Sequence, residues 1–265
     1  MTNSVFCYKD HAKDSIVTAT NEESNFPVTN IRTLDFTEVG RFTGASTVIS
    51  LSFTSSIDFR IISLSSIGDS GFSGFTTFEI DAGGGNTFDS GSLGSGQVYS
   101  EDSLYRQAYA DFGQTVSTTS IDITLTASVN SYLEIGRLYV GEEAPITLAP
   151  TYPLTLGREY RTRRVQTLRG QQYFFPRLSP RRKTVEYDLV LNRPELINQF
   201  ERRIDLAGVT GDQLFWVEDV DDPDVKRDAM LCTLVSSSSR IPSFGRNRKR
   251  IELREVGGVV SPTVL

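Results

Sequence analysis

Residues 46–53 read Ser-Thr-Val-Ile-Ser-Leu-Ser-Phe, and residues 120–125 read Ser-Ile-Asp-Ile-Thr-Leu. Apolar side chains recur at every second position: Ile49, Leu51 and Phe53 in the first, Ile121, Ile123 and Leu125 in the second. Successive side chains of an extended chain point to opposite faces, so this period specifies a strand with one wet and one buried face. Residues 59–64 (FRIISL), 75–80 (FTTFEI) and 132–140 (YLEIGRLYV) are short, β-branched or aromatic, and bounded by Gly, Ser, Asn and Asp. They are predicted strands too. No stretch before Pro150 sustains a helical apolar period. Many short strands with turns between them predict a mainly β fold that begins with an antiparallel β-sandwich.

Between these strands, residues 68–74 (GDSGFSG) and 81–96 (DAGGGNTFDSGSLGSG) are predicted loops, the second long and mobile. Residues 144–153 (APITLAPTYP) carry three prolines and predict an extended linker or sheet edge. The charge divides at the same place. Residues 1–150 hold 7 Lys and Arg against 18 Asp and Glu, and residues 151–265 hold 20 against 15, giving −11 and +5. Two domains are therefore expected, an acidic sandwich over residues 1–145 and a basic α+β domain over residues 146–265.

In the second half, residues 159–168, 183–191, 214–217, 230–235 and 250–254 read as strands. In the second of these, Val185, Tyr187 and Leu189 share a face. Asn192, Pro194 and Glu195 form a helix start signal: a cap, a first-turn proline and a capping-box acid. Leu196, Ile197, Phe200 and Ile204 make the apolar stripe, with Glu201, Arg202 and Arg203 outside it, and Gly208 is the expected stop. One helix on an antiparallel sheet is the economical arrangement.

Little here suggests catalysis. The chain has one histidine, His11, in a polar stretch where a surface position is expected. Gly68-Asp69-Ser70-Gly71 has the letters of a nucleophile segment, but a serine needs a general base beside it. Gly83-Gly84-Gly85 lacks the Lys and Ser/Thr of a phosphate loop. Residues 218–224 (EDVDDPD) crowd carboxylates without calcium-loop spacing and read as a solvated acidic turn. Cys7 and Cys232 lack CxxC spacing and are expected to be free, buried thiols. No enzyme activity, cofactor or metal is expected. No apolar run approaches the roughly 18 residues of a membrane span. Residues 1–20 carry Lys9, Asp10, His11, Lys13 and Asp14 where a signal peptide needs an apolar core, so synthesis in a cytoplasm is expected.

Arginines are the remaining signal. Arg161, Arg163, Arg164, Arg181 and Arg182 interleave with Tyr160, Tyr173, Phe174 and Phe175, and Arg246, Arg248, Lys249 and Arg250 form a second cluster. Such mixtures suit nucleic acid or a subunit interface. The acidic half argues against DNA and offers a complementary surface on a neighbouring copy, so the first five are the candidate oligomer interface.

Residues 23–31 (ESNFPVTNI), then Arg41, then residues 132–141 (YLEIGRLYVG) resemble the discoidin-like, carbohydrate-binding-module-like sandwich at the start of many phage tail proteins. The second half resembles the sheet-plus-helix ring domain of siphophage distal tail and minor tail proteins. The resemblance implies a structural virion protein of a tail tip or baseplate, made in a bacterial cytoplasm. It implies a homo-oligomeric ring, hexamer ahead of trimer, joining tail tube, baseplate hub and tape measure. The alternative is an adhesion module attaching the virion to host surface glycans. No convergent set of side chains for a sugar is legible in the sequence.

Overall fold

The computed structural model describes residues 4–34, 38–65, 75–90, 99–100, 107–127, 132–144, 150–158, 162–166, 172–176, 181–190, 194–220, 229–243 and 246–256. Its first half contains β1 (Val5–Asp10), β2 (Ile16–Ala19), β3 (Gly40–Phe42), β4 (Ser46–Ser65), β5 (Phe75–Asp81), β6 (Thr87–Asp89), β7 (Tyr99–Ser100), β8 (Gln107–Ala127), β9 (Leu133–Ile135) and β10 (Arg137–Glu143). Then come β11 (Pro150–Arg158), β12 (Thr162–Gln166), β13 (Gln172–Pro176), β14 (Arg181–Val190), α1 (Pro194–Thr210), β15 (Gln213–Val217), β16 (Met230–Ser243) and β17 (Arg246–Glu255). The fold is mainly β with antiparallel pairing, and α1 is the one α-helix among the described residues. Among the described residues no helix is long and apolar enough to cross a membrane.

The sandwich depends on two long strands. Residues 46–53 and 59–64 are not separate strands, as the sequence suggested, but one continuous strand, β4. The polar run 54–56 reads as a break, but the chain there only shifts register against β8, between Ser52 and Ile57. Such an irregularity bends a strand and lets its two ends take different partners. The first part of β4 pairs with β2 and the last part with β10. The alternation reads correctly: Ile49, Ile121, Ile123 and Leu125 are fully buried and Leu51 nearly so. They pack with Val28 and Ile31 of a 3-10 turn (Val28–Arg32) and with Phe42, Phe59, Phe78, Leu133 and Ile135.

Two other expectations are corrected. Residues 81–90 are a hairpin rather than one long loop: β5 turns through Gly83, Gly84 and Gly85, all at positive φ, into β6. Asp81 accepts from the Gly83 amide at 2.8 Å and fixes that turn. Residues 91–96 of the expected loop lie outside the described residues. The strand predicted over 132–140 divides at Gly136, with β9 pairing β3 and β10 pairing β4.

In the second half, β12 and β13 form their own two-stranded sheet. The prolines at 150 and 153 lie in β11, an end strand of the large sheet. Such a strand tolerates a missing amide donor. Helix α1 runs past Gly208 and stops at Thr210, with Gly211 at φ 70° after it. Gly208 instead faces β16, where a Cβ would lie 2.8 Å from Leu234 Cδ2.

The first strand joins everything. β1 pairs with β10 of the sandwich on one side and with β15 on the other, so one sheet runs from β11 to β6. Its alternation serves two cores. Phe6 packs with Trp216, Met230 and Ile204 under α1, while Val5 and Cys7 pack with Ile61, Tyr109, Tyr139 and Phe215 on the other face. The latter cluster draws residues from both halves.

Candidate functional site

Strand β4 changes partners over residues 53–60. β2 ends opposite Ser52, and β10 begins pairing at Ile61. A short 3-10 turn (Ala12–Asp14) lies between β1 and β2, and the space beside it is a cavity of about 340 Å³. One wall is residues 53–58 of β4, with the hydroxyls of Thr54, Ser55 and Ser56, the flanking Phe53 and Ile57, and Asp58. The other wall is Lys9, His11, Asp14 and Glu142.

The turn is fixed from below. Asp10 accepts from the Ala12 amide at 2.9 Å and the Val140 amide at 3.1 Å, and the His11 amide donates to the Val140 carbonyl at 2.8 Å. This anchoring carries His11 inward. It is 6% exposed, not a surface residue as the sequence suggested, because β10 packs over it. Glu142 is the hub of that wall. Its Oε2 meets Lys9 Nζ at 3.3 Å and His11 Nε2 at 3.1 Å, and its Oε1 accepts from the Tyr8 hydroxyl. Burial pushes the Glu142 carboxyl up, but the bonds from His11, Tyr8 and Lys9 outweigh it and hold it at about 2. Burial and the Glu142 carboxylate push the Tyr8 phenol up. The Arg203 guanidinium of α1 sits 4.3 Å above the Tyr8 ring, and Lys13 pairs with Asp212 at 3.0 Å, so the second half braces this wall.

The site is equipped to bind. It offers fixed donors and acceptors, three hydroxyl-bearing residues and two apolar side chains in its lining, a mixture suited to a polyhydroxylated ligand. Among the described residues no group of three or more His, Cys, Asp and Glu is arranged to hold a metal ion. Ser70 lies outside the described residues.

The residues singled out by sequence are dispersed. Arg161 lies outside the described residues, and Arg163 and Arg164 stand on β12 opposite Phe175 and Phe174. Arg181 is buried and bound to Glu255, NH2 to Oε1 at 3.0 Å, and to the Ala229 carbonyl at 3.1 Å. Arg182 reaches Glu252 at 3.2 Å with its side chain 39% exposed. Lys249 of the second basic cluster is buried beside Asp205. The acidic run 218–224 is not wholly solvated: Glu218 is buried 3.5 Å from Lys183, whose ammonium lies 4.7 Å from the Trp216 ring centre. Residues 221–224 lie outside the described residues. Both cysteines are buried and free. Burial first, then the Glu143 and Asp111 carboxylates, push the Cys7 thiol up, which leaves it unreactive.

Arg41 has a structural task. Its guanidinium bonds Glu134 and lies 4.0 Å from the Phe26 ring centre and 4.4 Å from that of Tyr132. This draws together the three segments on which the sequence resemblance rests. Lys9, Asp58 and Glu142 had no sequence signal, because only the register of β1 on β10 brings them near β4.

No protein-family model matches the chain, and no curated protein does. Among solved structures it is similar to the family 32 carbohydrate-binding module of Clostridium perfringens NanJ, in complex with galactose. That match has 18% identity and a TM-score of 0.40, covering 52% of this chain and 99% of that one. It is also similar to a Streptococcus pneumoniae fucose-binding module, at 13% identity and a TM-score of 0.39, covering 51% of this chain and 95% of that one. A further C. perfringens module, CpGH89CBM32-5, solved with GalNAc-β-1,3-galactose, matches at 14% identity and a TM-score of 0.39 over 49% of this chain and 97% of that one.

Proposed function

We propose that the chain is a non-enzymatic glycan-binding protein of a phage tail tip, and that the cavity beside β4 is where the sandwich takes a host-surface sugar. The observation that carries this is the cavity's composition. Thr54, Ser55 and Ser56 line it together with Lys9, His11, Asp14, Asp58 and Glu142, and with Phe53 and Ile57. Sugars are held by just such pairings of fixed polar groups with apolar side chains against their C–H faces. The test is a titration of the intact chain, followed by NMR, with a panel of neutral, aminated and acidic saccharides. Shifts should map to residues 9–14, 53–58 and 142, and a bulky Ser55→Trp replacement should abolish them. Silence across the whole panel at millimolar sugar sinks the reading.

A second, compatible reading is a ring subunit joining tail tube to hub. The observation favouring it is the shared strand β1, which pairs with β10 of the sandwich on one side and β15 of the second half on the other. A particle subunit needs that fixed orientation. Arg161, Arg163, Arg164 and Arg182 then remain the candidate contacts with a neighbouring copy, while Arg181 is already engaged within the chain. Replacing Arg163 and Arg164 with glutamate should block ring formation, read by mass photometry, while leaving the monomer folded. Rings of the double variant would remove this surface from consideration.

A further inference from the structure

We propose that the cavity beside β4 is a composite site of the two halves, in which Arg203 of α1 is a positioning residue acting through Tyr8 on Glu142. This rests on the glycan reading above and assigns part of the site to the second half. The residues lining the cavity all belong to the first half. Three lines of contact reach them from residues 203–213. The Arg203 guanidinium lies 4.3 Å from the centre of the half-buried Tyr8 ring, and the Tyr8 hydroxyl donates to Glu142 Oε1. Asp212, just after α1, accepts from Thr210 Oγ1 at 2.8 Å and from Lys13 Nζ at 3.0 Å. Lys13 stands in the 3-10 turn, between the lining residues His11 and Asp14. Gln213 of β15 accepts from Arg137, Arg137 bonds Asp10, and Asp10 holds the Ala12 amide of that turn.

The first line is the one that acts on a lining side chain. Lys9 and His11 both meet Glu142 at Oε2, and Tyr8 is the donor seen at Oε1. The cation over the Tyr8 ring thus helps to orient the carboxylate that orders Lys9 and His11. An ion pair as exposed as Lys13–Asp212 contributes little alone. Arg137 is wholly buried, so changing it disturbs the fold itself. Arg203 is where the second half acts on the cavity without carrying the fold. Occupancy of the cavity and the seating of α1 on Tyr8 are then linked, each favouring the other by one factor. A cation–π contact at a part-exposed ring sets that factor at about two- to fivefold.

The experiment uses the intact chain, with galactose, glucosamine and glucuronic acid as neutral, aminated and acidic probes. Carboxyl NMR should show Glu142 titrating higher in Arg203→Ala than in the unmodified chain, moved from about 2 towards 4.5. In a Tyr8→Phe background the same replacement should add nothing, because its route to Glu142 is gone. Arg203→Ala should also weaken binding of whichever probe binds by about two- to fivefold. Arg203→Lys, which keeps a cation over the ring, should recover part of that loss. Arg202→Ala, exposed on the same helix, should titrate and bind as the unmodified chain does. A Glu142 titration unmoved by Arg203→Ala, or moved equally in the Tyr8→Phe background, overturns the proposal. Sugar binding at unchanged affinity in Arg203→Ala overturns it too and leaves the glycan reading standing. Binding of none of the three, nor of any sugar in the wider panel, with Glu142 moving as stated, overturns the glycan reading and leaves α1 as the element that orders this wall.

Discussion

Arg137 of β10 donates from Nε to Gln213 Oε1 of β15 at 2.9 Å, across the seam between the two halves. The same guanidinium bonds Asp10 on β1 and the carbonyl of Leu138 at 2.7 Å, and it has no solvent exposure. One buried cation thus ties the sandwich, the shared strand and the second sheet.

Removing that cation should therefore cost far more than a surface ion pair. Arg137→Met strands the Asp10 carboxylate in the interior, and breaking a buried pair this way costs about 3–5 kcal/mol. Asp10 also holds the amides of Ala12 and Val140, so Asp10→Asn should lose less. The double variant should be more stable than the sum of the two losses implies. Urea denaturation of all three chains measures this, and strict additivity would show that the pair is not coupled.

The shared strand gives a second expectation. A protease site inserted between residues 145 and 149 severs the chain between the acidic and basic halves. Because β1 stays attached to the sandwich yet pairs with β15, the two pieces should remain together in native gel filtration and part only in denaturant. Deleting residues 1–10 should expose Ile61, Tyr139 and Phe215 of the common core and abolish cooperative unfolding. Pieces that separate freely without denaturant would mean that β1 contributes little to the seam.

Local patterns carried the sequence reading as far as local physics allows. The alternation of Ile121, Ile123 and Leu125 is fixed by the pleat alone, and all three are fully buried. The start of α1 is likewise a short-range matter, and the helix begins at Pro194. What stayed hidden depends on distant partners. His11 looks like a surface histidine until β10 places Glu142, 131 positions later, against its ring. Thr54, Ser55 and Ser56 look like a break in β4 because polarity, not register, is visible in sequence. The cavity is a product of both, so no motif announced it.

Acid should weaken the cavity wall in a defined window. Glu142 sits at about 2, below its ordinary 4.5, so its bonds to His11, Tyr8 and Lys9 contribute stability fully present above 4.5. That contribution is lost as pH falls from 4.5 towards 2. Glu143, shifted upward chiefly by burial, works in the opposite sense. Glu142→Gln should accordingly lower the denaturation midpoint at pH 6, and the gap from the unmodified chain should close as the pH approaches 2. A gap that is constant across this range would mean that the Glu142 charge adds nothing to the fold.

Two glycines packed against neighbours should respond to alanine with opposite signs. At Gly141 of β10, a Cβ would lie 2.8 Å from Cys7 Cβ and 2.7 Å from Tyr139 Cε1. Cys7 Cβ is tied directly to the backbone of β1, and the Tyr139 ring is fully buried with its hydroxyl donating to the Cys7 carbonyl at 3.1 Å. Neither can move without opening the β1–β10 seam, so Gly141→Ala should destabilise by about 1–3 kcal/mol, the usual cost of overpacking. At Gly208 of α1, the obstruction is Leu234 Cδ2 at 2.8 Å, the end of a partly buried and rotatable side chain. That methyl can swing aside, while alanine gains up to about 1 kcal/mol of helix propensity over glycine. Gly208→Ala should therefore leave stability unchanged or raise it slightly, by chemical denaturation of the two variants side by side. If Gly141→Ala proves neutral, β1 is not packed against β10 as closely as these distances require; if Gly208→Ala is the more damaging, α1 sits on β16 with no room for Leu234 to yield.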